Sequence, residues 1–114
     1  MPRKEFVNSR YTSMYLIVFF DLPVKTKNDR REYARFRNTL LNAGFQQLQY
    51  SVYSRYCHDA RRTQHYRDIV HKALPPRGAV RLLDATTRQF ETMENFIGRE
   101  QAPYEAELDL FIIL

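Results

Sequence analysis

The stretch YLIVFFDLPVKTKNDRR, residues 15–31, decides how the fold begins. Its first six side chains are all apolar or aromatic, so both faces of a strand built from them need a cover, which is typical of a central strand. Asp21 follows this run directly, and Pro23 ends it because proline has no amide hydrogen to donate to a neighbouring strand. The stretch therefore predicts a mid-sheet strand with a single carboxylate at its end.

An amphipathic helix is predicted after this strand. Asn28 or Asp29 can cap its start, because either side chain can accept a hydrogen bond from a free amide of the first turn. The helix is predicted to run to about Ala43 and to end at Gly44. The residues expected on its inner side are Tyr33, Phe36, Leu40 and Leu41, and those expected opposite are Arg31, Arg35 and Asn38.

Strand and helix patterns alternate in the middle of the chain. Residues 45–56 are rich in aromatic and β-branched side chains and predict either one bent strand or two short strands. A second helix is predicted from about Asp59 to Leu74, before the pair Pro75-Pro76. Its expected inward residues are Tyr66, Ile69, Val70 and Ala73.

The last third predicts a strand, a short helix and a final strand. Residues 78–85 form the predicted strand, and Thr86 or Thr87 can cap the helix. On that helix, which is expected to stop at Gly98, the side chains predicted to share one side are Phe90, Met93 and Ile97. Glu107 to Leu114 is the predicted last strand, whose apolar end would be a sticky edge unless it is covered.

This order predicts an α+β protein with a ferredoxin-like split βαβ sandwich and an additional C-terminal strand. The expected parts are a flexible leader at residues 1–13, the ferredoxin-like domain at 14–98 and a tail at 99–114. Two helices cover only one face of the sheet, while the central strand is apolar on both. A homodimer that packs through the open sheet face is therefore expected.

Composition favours a polyanionic partner in a reducing compartment. The chain of 114 residues carries a formal charge of +5, with 18 Lys and Arg against 13 Asp and Glu. Such a bias favours nucleic acid. The single cysteine, Cys57, excludes an internal disulfide and a cysteine-based metal cluster. No apolar run approaches the roughly 20 residues that cross a bilayer, so a cytoplasmic protein without membrane contact is expected.

Asp21 has two interpretations. It can cap the turn after the strand by accepting amide hydrogens near Val24 or Lys25. Alternatively, a twofold axis nearby would pair it with its symmetry mate, and two carboxylates could hold one Mg²⁺ or Mn²⁺ ion. Such an ion could support phosphodiester cleavage, with Asp21 as the catalytic metal ligand.

A cluster of cations follows this aspartate, and it comprises Lys25, Lys27, Arg30, Arg31, Arg35 and Arg37. Cations at the start and along the outer face of a helix can bind backbone phosphates without reading base sequence. The alternative is an ordinary solvated face. Arg37 projects to the apolar side, so it must snorkel past the core edge or find an acidic or phosphate partner.

Four motifs in series resemble the CRISPR-associated Cas2 (Cas-two) family, in the form that accompanies single-effector systems. They are MYLIVFFDLP (14–23), KTKNDRREYARFRNTLL (25–41), GFQQLQYSVYSRYC (44–57) and ALPPRGAVRLLDATTRQF (73–90). The resemblance implies a ferredoxin-like homodimer of antiviral defence, which acts in spacer acquisition with the CRISPR integrase, Cas-one, and binds double-stranded DNA.

The resemblance also implies residue roles. Asp21 matches the proposed divalent-metal ligand for endonuclease activity on RNA or DNA, Phe20 stands where many relatives carry tyrosine, and Ser51 and Tyr53 lie beside the site. Two functions stay open. One is a DNA-binding scaffold of the integration complex, and the other is a free, toxin-like metal-dependent endoribonuclease that acts on single-stranded RNA.

Overall fold

The computed structural model describes residues 12–98, 100 and 101, which form six strands and three helices. In chain order these are β1 (Met14–Asp21), α1 (Lys27–Asn42), β2 (Gln46–Gln49), β3 (Val52–Cys57), α2 (Ala60–Lys72), β4 (Ala79–Thr86), α3 (Thr87–Glu91), β5 (Phe96–Ile97) and β6 (Glu100–Gln101). The predicted strand at Glu107 to Leu114 and residues 1–11 of the predicted leader lie outside the described residues.

The main sheet has the strand order β2-β3-β1-β4, and its neighbouring strands are antiparallel. β1 pairs with β3 on one side and with β4 on the other, so the predicted central strand is confirmed. Together with the βαββαβ order of the elements, this arrangement confirms the predicted α+β, ferredoxin-like fold. Between Thr12 and Gly98, and at residues 100 and 101, no helix is long and apolar enough to span a bilayer.

Alternating side chains of β1 supply two separate cores. Leu16 and Val18 are fully buried in the main core, where they meet Phe36 and Leu40 of α1. Ile17 points to the opposite face of the sheet and belongs to a second, smaller cluster. A strand with apolar residues on both faces therefore needs a cover on each side, as its sequence indicated.

The second cluster is covered by α3. Phe90 of this helix is buried against Ile17 and Ala85, and its ring stacks on Tyr15 with 3.8 Å between the ring centroids. Only one end of the second face is covered in this way. Leu83 remains 53 % exposed farther along β4.

The start of α1 differs from the prediction, because Thr26 caps the helix and neither Asn28 nor Asp29 does so. The Thr26 hydroxyl accepts a hydrogen bond from the Asp29 amide at 3.0 Å, and the Asp29 carboxylate accepts one from the Thr26 amide at 3.3 Å. Asp29 is thus the third helical residue of a capping box. Leu41 was wrongly placed inside, since it is 38 % exposed.

The other boundaries are close to the predictions. Residues 45–56 form two strands, with a turn at Tyr50 and Ser51, so the two-strand alternative is confirmed. Asp59 caps α2, and its side chain accepts a hydrogen bond from the Arg62 amide at 2.9 Å. The short helix ends at Glu91, well before Gly98.

The prediction for Ile97 was therefore wrong. Ile97 lies in β5, where it pairs with β6, and its side chain is 38 % exposed. Met93 follows the helix and is 39 % exposed, so of the three side chains predicted to share one side, Phe90 is the one that is buried.

Candidate active site

Asp21 is the last residue of β1 and its side chain is exposed. Its position along the strand places it on the same face as Ile17 and Phe19, away from α1 and α2. Gly78 lies directly behind it, because a Cβ at Gly78 would approach the Asp21 carbonyl oxygen to 2.8 Å. The predicted site residue therefore lies on the incompletely covered face of the sheet, at a strand end held by close backbone packing.

Asp21 lines an open groove of about 340 Å³. The other lining residues are Phe19, Phe20, Tyr50, Ser51, Val52, Ala79 and Arg81. They come from β1, from β4, from the turn between β2 and β3 and from the first residue of β3. The groove exposes one carboxylate and one guanidinium on its wall.

The turn between β2 and β3 is fixed beside the end of β1 through Ser51. The Ser51 carbonyl accepts a hydrogen bond from the Phe20 amide at 3.1 Å, and its backbone has a φ of 63°, which is uncommon for a residue other than glycine. The Ser51 hydroxyl lies 3.3 Å from the Tyr33 hydroxyl. The pKa of Tyr33 is raised to about 12, mainly because its hydroxyl is partly buried. Ser51 thus positions the groove wall, and its place next to a catalytic site stays a prediction.

Phe20 and Tyr53 lie on the other side of the sheet from the Asp21 carboxylate. Their rings stack at 5.7 Å between centroids in the main core, and Tyr53 is 1 % exposed. Burial raises the pKa of Tyr53, while Arg37 lowers it by its charge and by a hydrogen bond. The two aromatic residues are next to the site in sequence, and the structure places both side chains in the core that supports β1.

The predicted metal site depends on one carboxylate of this chain, that of Asp21. Among residues 12–98 and 100–101, no group of three or more His, Cys, Asp or Glu side chains could hold a metal ion. Asp21 is exposed and accessible, and its oxygen chemistry suits Mg²⁺ or Mn²⁺. A single carboxylate binds such ions weakly, so the fit requires a second Asp21 from a symmetry-related copy. The predicted metal stays a prediction.

The six predicted phosphate-binding cations differ in their hydrogen bonds and ion pairs within the protein. Lys25, Lys27 and Arg31 are exposed, and their side chains form no hydrogen bond or ion pair within the part of the chain that the structure describes. Arg30 is also exposed, but its guanidinium donates to the carbonyl oxygens of residues 24 and 25 at 3.2 and 3.0 Å. Arg30 therefore braces the loop that precedes α1.

Arg35 and Arg37 are more strongly engaged. Arg35 pairs with Glu32 at 2.8 Å and donates to the Ala73 carbonyl at 3.0 Å, which links α1 to the end of α2. Arg37 is half-buried and interacts with Tyr53, and the acidic or phosphate partner that was predicted as one alternative is not found among the described residues. Of the six cations, Lys25, Lys27 and Arg31 are therefore the ones without side-chain partners among the described residues.

Arg81 is a charged groove residue that sequence reasoning missed. It is exposed on β4 and lies opposite Phe19 in the strand register. The sequence AVRLLDA, 79–85, showed a strand with one cation, but not which strand would lie beside it. The pairing of β1 with β4 is what brings Arg81 to the groove.

Comparison with known proteins gives a consistent result. Residues 14–93 match the family described as CRISPR associated protein Cas2. Three similar relatives each bear the name CRISPR-associated endoribonuclease Cas2. The protein of Paracidovorax avenae is 40 % identical over 89 % of this chain and 94 % of its own length. That of Lacticaseibacillus rhamnosus is 36 % identical over 89 % and 100 %, and that of Flavobacterium psychrophilum is 32 % identical over 90 % and 92 %. The chain, with its ferredoxin-like sheet and its strand-end aspartate, belongs to the CRISPR-associated Cas2 family.

Proposed function

We propose that this chain is a homodimeric endoribonuclease of a CRISPR system that depends on Mg²⁺ or Mn²⁺ and uses Asp21 as its metal ligand. The observation that carries the proposal is the position of Asp21, exposed at the end of the central strand on the incompletely covered sheet face. The relatives' name, CRISPR-associated endoribonuclease, supports the choice of RNA as substrate, and we propose the single-stranded form.

The residues of this chain would have distinct roles in RNA cleavage. Two Asp21 carboxylates, one from each copy, would hold the ion at the groove. The bound ion would supply positive charge that stabilises a phosphodiester during cleavage. The main-chain bond from Phe20 to Ser51 would keep the strand end and the turn in register, so that the carboxylates meet the substrate in a fixed geometry.

The first test is Asp21→Asn, which keeps the size of the side chain but removes its charge. We expect cleavage of single-stranded RNA in Mg²⁺ or Mn²⁺ to fall at least about 100-fold, since loss of a metal ligand removes most of the charge stabilisation. Asp68→Asn is the matched control, because Asp68 is exposed on α2 and accepts a hydrogen bond from Gln64 that an asparagine can retain. Cleavage that persists in Asp21→Asn and needs no divalent ion would refute the proposal.

A second candidate function rests on the free cations at the start of α1. Lys25, Lys27 and Arg31 are exposed without side-chain partners among the described residues, which leaves them available to duplex phosphates. On this proposal the dimer is a DNA-binding scaffold that joins the integrase, Cas-one, in spacer acquisition. Asp21 would then be dispensable for acquisition.

Arg31→Gln tests the scaffold. The measured quantity is the slope of log K for duplex binding against the logarithm of the salt concentration. We expect the magnitude of this slope to fall by about 0.9 for each phosphate that the variant no longer neutralises. Spacer acquisition and the complex with Cas-one on a short DNA duplex should weaken with it. Equal salt slopes for Arg31→Gln and the unmodified protein would contradict the scaffold.

Arg61→Gln is the control for this substitution. Arg61 is likewise an exposed helix arginine, and its side chain forms no hydrogen bond or ion pair with residues 12–98. It lies on α2, away from the start of α1, so its loss should leave the salt slope unchanged. Arg35 is unsuitable as the test or the control substitution, because its side chain forms an ion pair with Glu32 and a hydrogen bond to the Ala73 carbonyl.

A further inference from the structure

Arg81 and Asp21 are neighbours on the adjacent strands β4 and β1. In the register of β1 and β4, Asp21 lies opposite Ala79 and Phe19 lies opposite Arg81. Asp21 and Arg81 are therefore diagonal neighbours on one face, within reach of a long side chain. They nevertheless form no ion pair, and both line the same groove. The groove thus holds an accessible carboxylate and an accessible guanidinium that are close but not paired.

The contacts of Arg81 with the described residues give its side chain no structural role. Its side chain is exposed and forms no hydrogen bond or ion pair with any described residue. Its neighbours on the same face include the exposed apolar side chains Phe19 and Leu83. A charge that would be partly desolvated there, in the proposed dimer, needs an anionic partner. Guanidinium groups suit phosphate because they bind it with two parallel hydrogen bonds.

Tyr50 supplies an aromatic surface at the opposite wall of the groove. It lies in the turn between β2 and β3 and is 72 % exposed, more than any other large apolar or aromatic side chain among the described residues. Its ring stacks beside Tyr33 with 6.1 Å between centroids and an interplanar angle of 23°. The adjacent Ser51 carbonyl bonds to the Phe20 amide, which fixes the turn. Tyr50 is therefore an exposed ring on a positioned backbone, a suitable platform for an unstacked base.

We propose that Arg81 and Tyr50 form a nucleotide subsite for single-stranded RNA, in which Arg81 binds a backbone phosphate and Tyr50 stacks on a base. This subsite rests on the proposed endoribonuclease function and defines how its substrate lies. A phosphate on Arg81 places the next phosphodiester of the strand toward Asp21, at the end of β1. Because a guanidinium and a ring of this kind meet the backbone and the face of a base, the subsite binds RNA without selecting a base sequence.

The test measures binding of a short fluorescein-labelled oligouridine in EDTA, so that neither metal nor cleavage contributes. We expect Arg81→Gln to lower the salt slope by about 0.7 for each phosphate of a single strand that Arg81 had neutralised. Arg81→Lys keeps the charge and should keep the slope. An unchanged slope and affinity in Arg81→Gln would overturn the subsite. Sedimentation equilibrium accompanies the titration, and a change of oligomeric state in Arg81→Gln would also overturn it, by assigning Arg81 to the subunit interface.

Substitutions of Tyr50 test the stacking half of the subsite. We expect Tyr50→Ala to weaken oligouridine binding about 5-fold or more with an unchanged salt slope, because stacking is not a counterion effect. Tyr50→Phe keeps the ring and should bind as the unmodified protein does. Equal affinity for Tyr50→Ala and Tyr50→Phe would overturn the stacking role.

These readouts separate the subsite from the proposed function. If Asp21→Asn abolishes cleavage while Arg81→Gln binds oligouridine normally, the endoribonuclease stands and the subsite fails. If the protein does not cleave RNA but loses salt-dependent affinity in Arg81→Gln, the subsite stands as an RNA-binding site and the endoribonuclease fails.

Discussion

At the scale of single residues, Gly78 controls the position of the Asp21 backbone. Its φ of +102° is unfavourable for any residue with a side chain, and an added Cβ would lie 2.7 Å from Leu22 Cδ2 and 2.8 Å from the Asp21 carbonyl oxygen. We expect Gly78→Ala to lower the free energy of unfolding by about 2 kcal/mol and to reduce RNA cleavage by displacing Asp21. Urea unfolding measures the first effect and a cleavage assay the second.

Gly98→Ala is the control for this substitution. Gly98 also has a positive φ, +66°, but an added Cβ would meet no atom within 4 Å. It should therefore cost about 1 kcal/mol of backbone strain and leave cleavage unchanged. If the two alanine variants lost equal stability and kept equal activity, close packing behind Asp21 would have no part in positioning it.

Residue-scale prediction from the sequence succeeded where one local pattern was enough. The abrupt end of an apolar run located Asp21 at a strand end without knowledge of its neighbours. Arg81 was missed because its importance comes from the pairing of β1 with β4, which no local pattern contains. The partners of Arg35 and Arg37 were missed for the same reason, since one lies on the C-terminal cap residue of α2 and the other on β3.

At the scale of elements, the capping box anchors the start of α1. The Thr26 hydroxyl and the Asp29 carboxylate accept hydrogen bonds from each other's amides, and Arg77 pairs with Asp29 at 3.1 Å. We expect Thr26→Ala to lower the free energy of unfolding by about 1 kcal/mol, because one amide of the first turn loses its acceptor. Chemical denaturation measures this loss.

Thr39→Ala provides the comparison within the same helix. The Thr39 hydroxyl donates to the Arg35 carbonyl, a mid-helix bond that alanine can lose without leaving an unsatisfied group at a helix end. Alanine is also the better helix former, so stability should stay within about 0.5 kcal/mol or rise. A loss in Thr39→Ala as large as that in Thr26→Ala would argue against a specific capping role.

Element boundaries were predicted to within a few residues where a single strong stop residue was present. Gly44 ended α1 as expected, and its φ of +89° explains why. The start of α1 contains three residues of a type that caps helices, and the prediction of Asn28 or Asp29 missed Thr26. The short helix was overextended because Phe90, Met93 and Ile97 recur at helical spacing, although pairing of β5 with β6 outcompetes the helix there.

At the scale of the whole molecule, the order of elements was enough to predict the topology. A strand apolar on both faces, two amphipathic helices and short connections leave few arrangements other than a central β1 between β3 and β4. The cover of the second face was less predictable. α3 covers the end near Tyr15 and Ile17, which the sequence did not place there, and a homodimer stays a prediction for the remainder.

Leu83 gives that homodimer a direct test. It is 53 % exposed in the middle of β4, on the same face as Phe19, which is 36 % exposed. Burial of both against a second copy would be favourable, at about 25 cal/mol for each Å² of apolar surface removed from water. We expect the unmodified protein to sediment as a dimer and Leu83→Glu as a monomer, because a carboxylate in place of this apolar side chain would have to be desolvated in the interface. Leu41→Glu is the control, since Leu41 is 38 % exposed on α1, on the opposite side of the sheet. Loss of RNA cleavage in Leu83→Glu but not in Leu41→Glu would show that cleavage needs the dimer, as a metal site shared by two Asp21 carboxylates requires, whereas a fully active Leu83→Glu monomer would contradict the shared metal site.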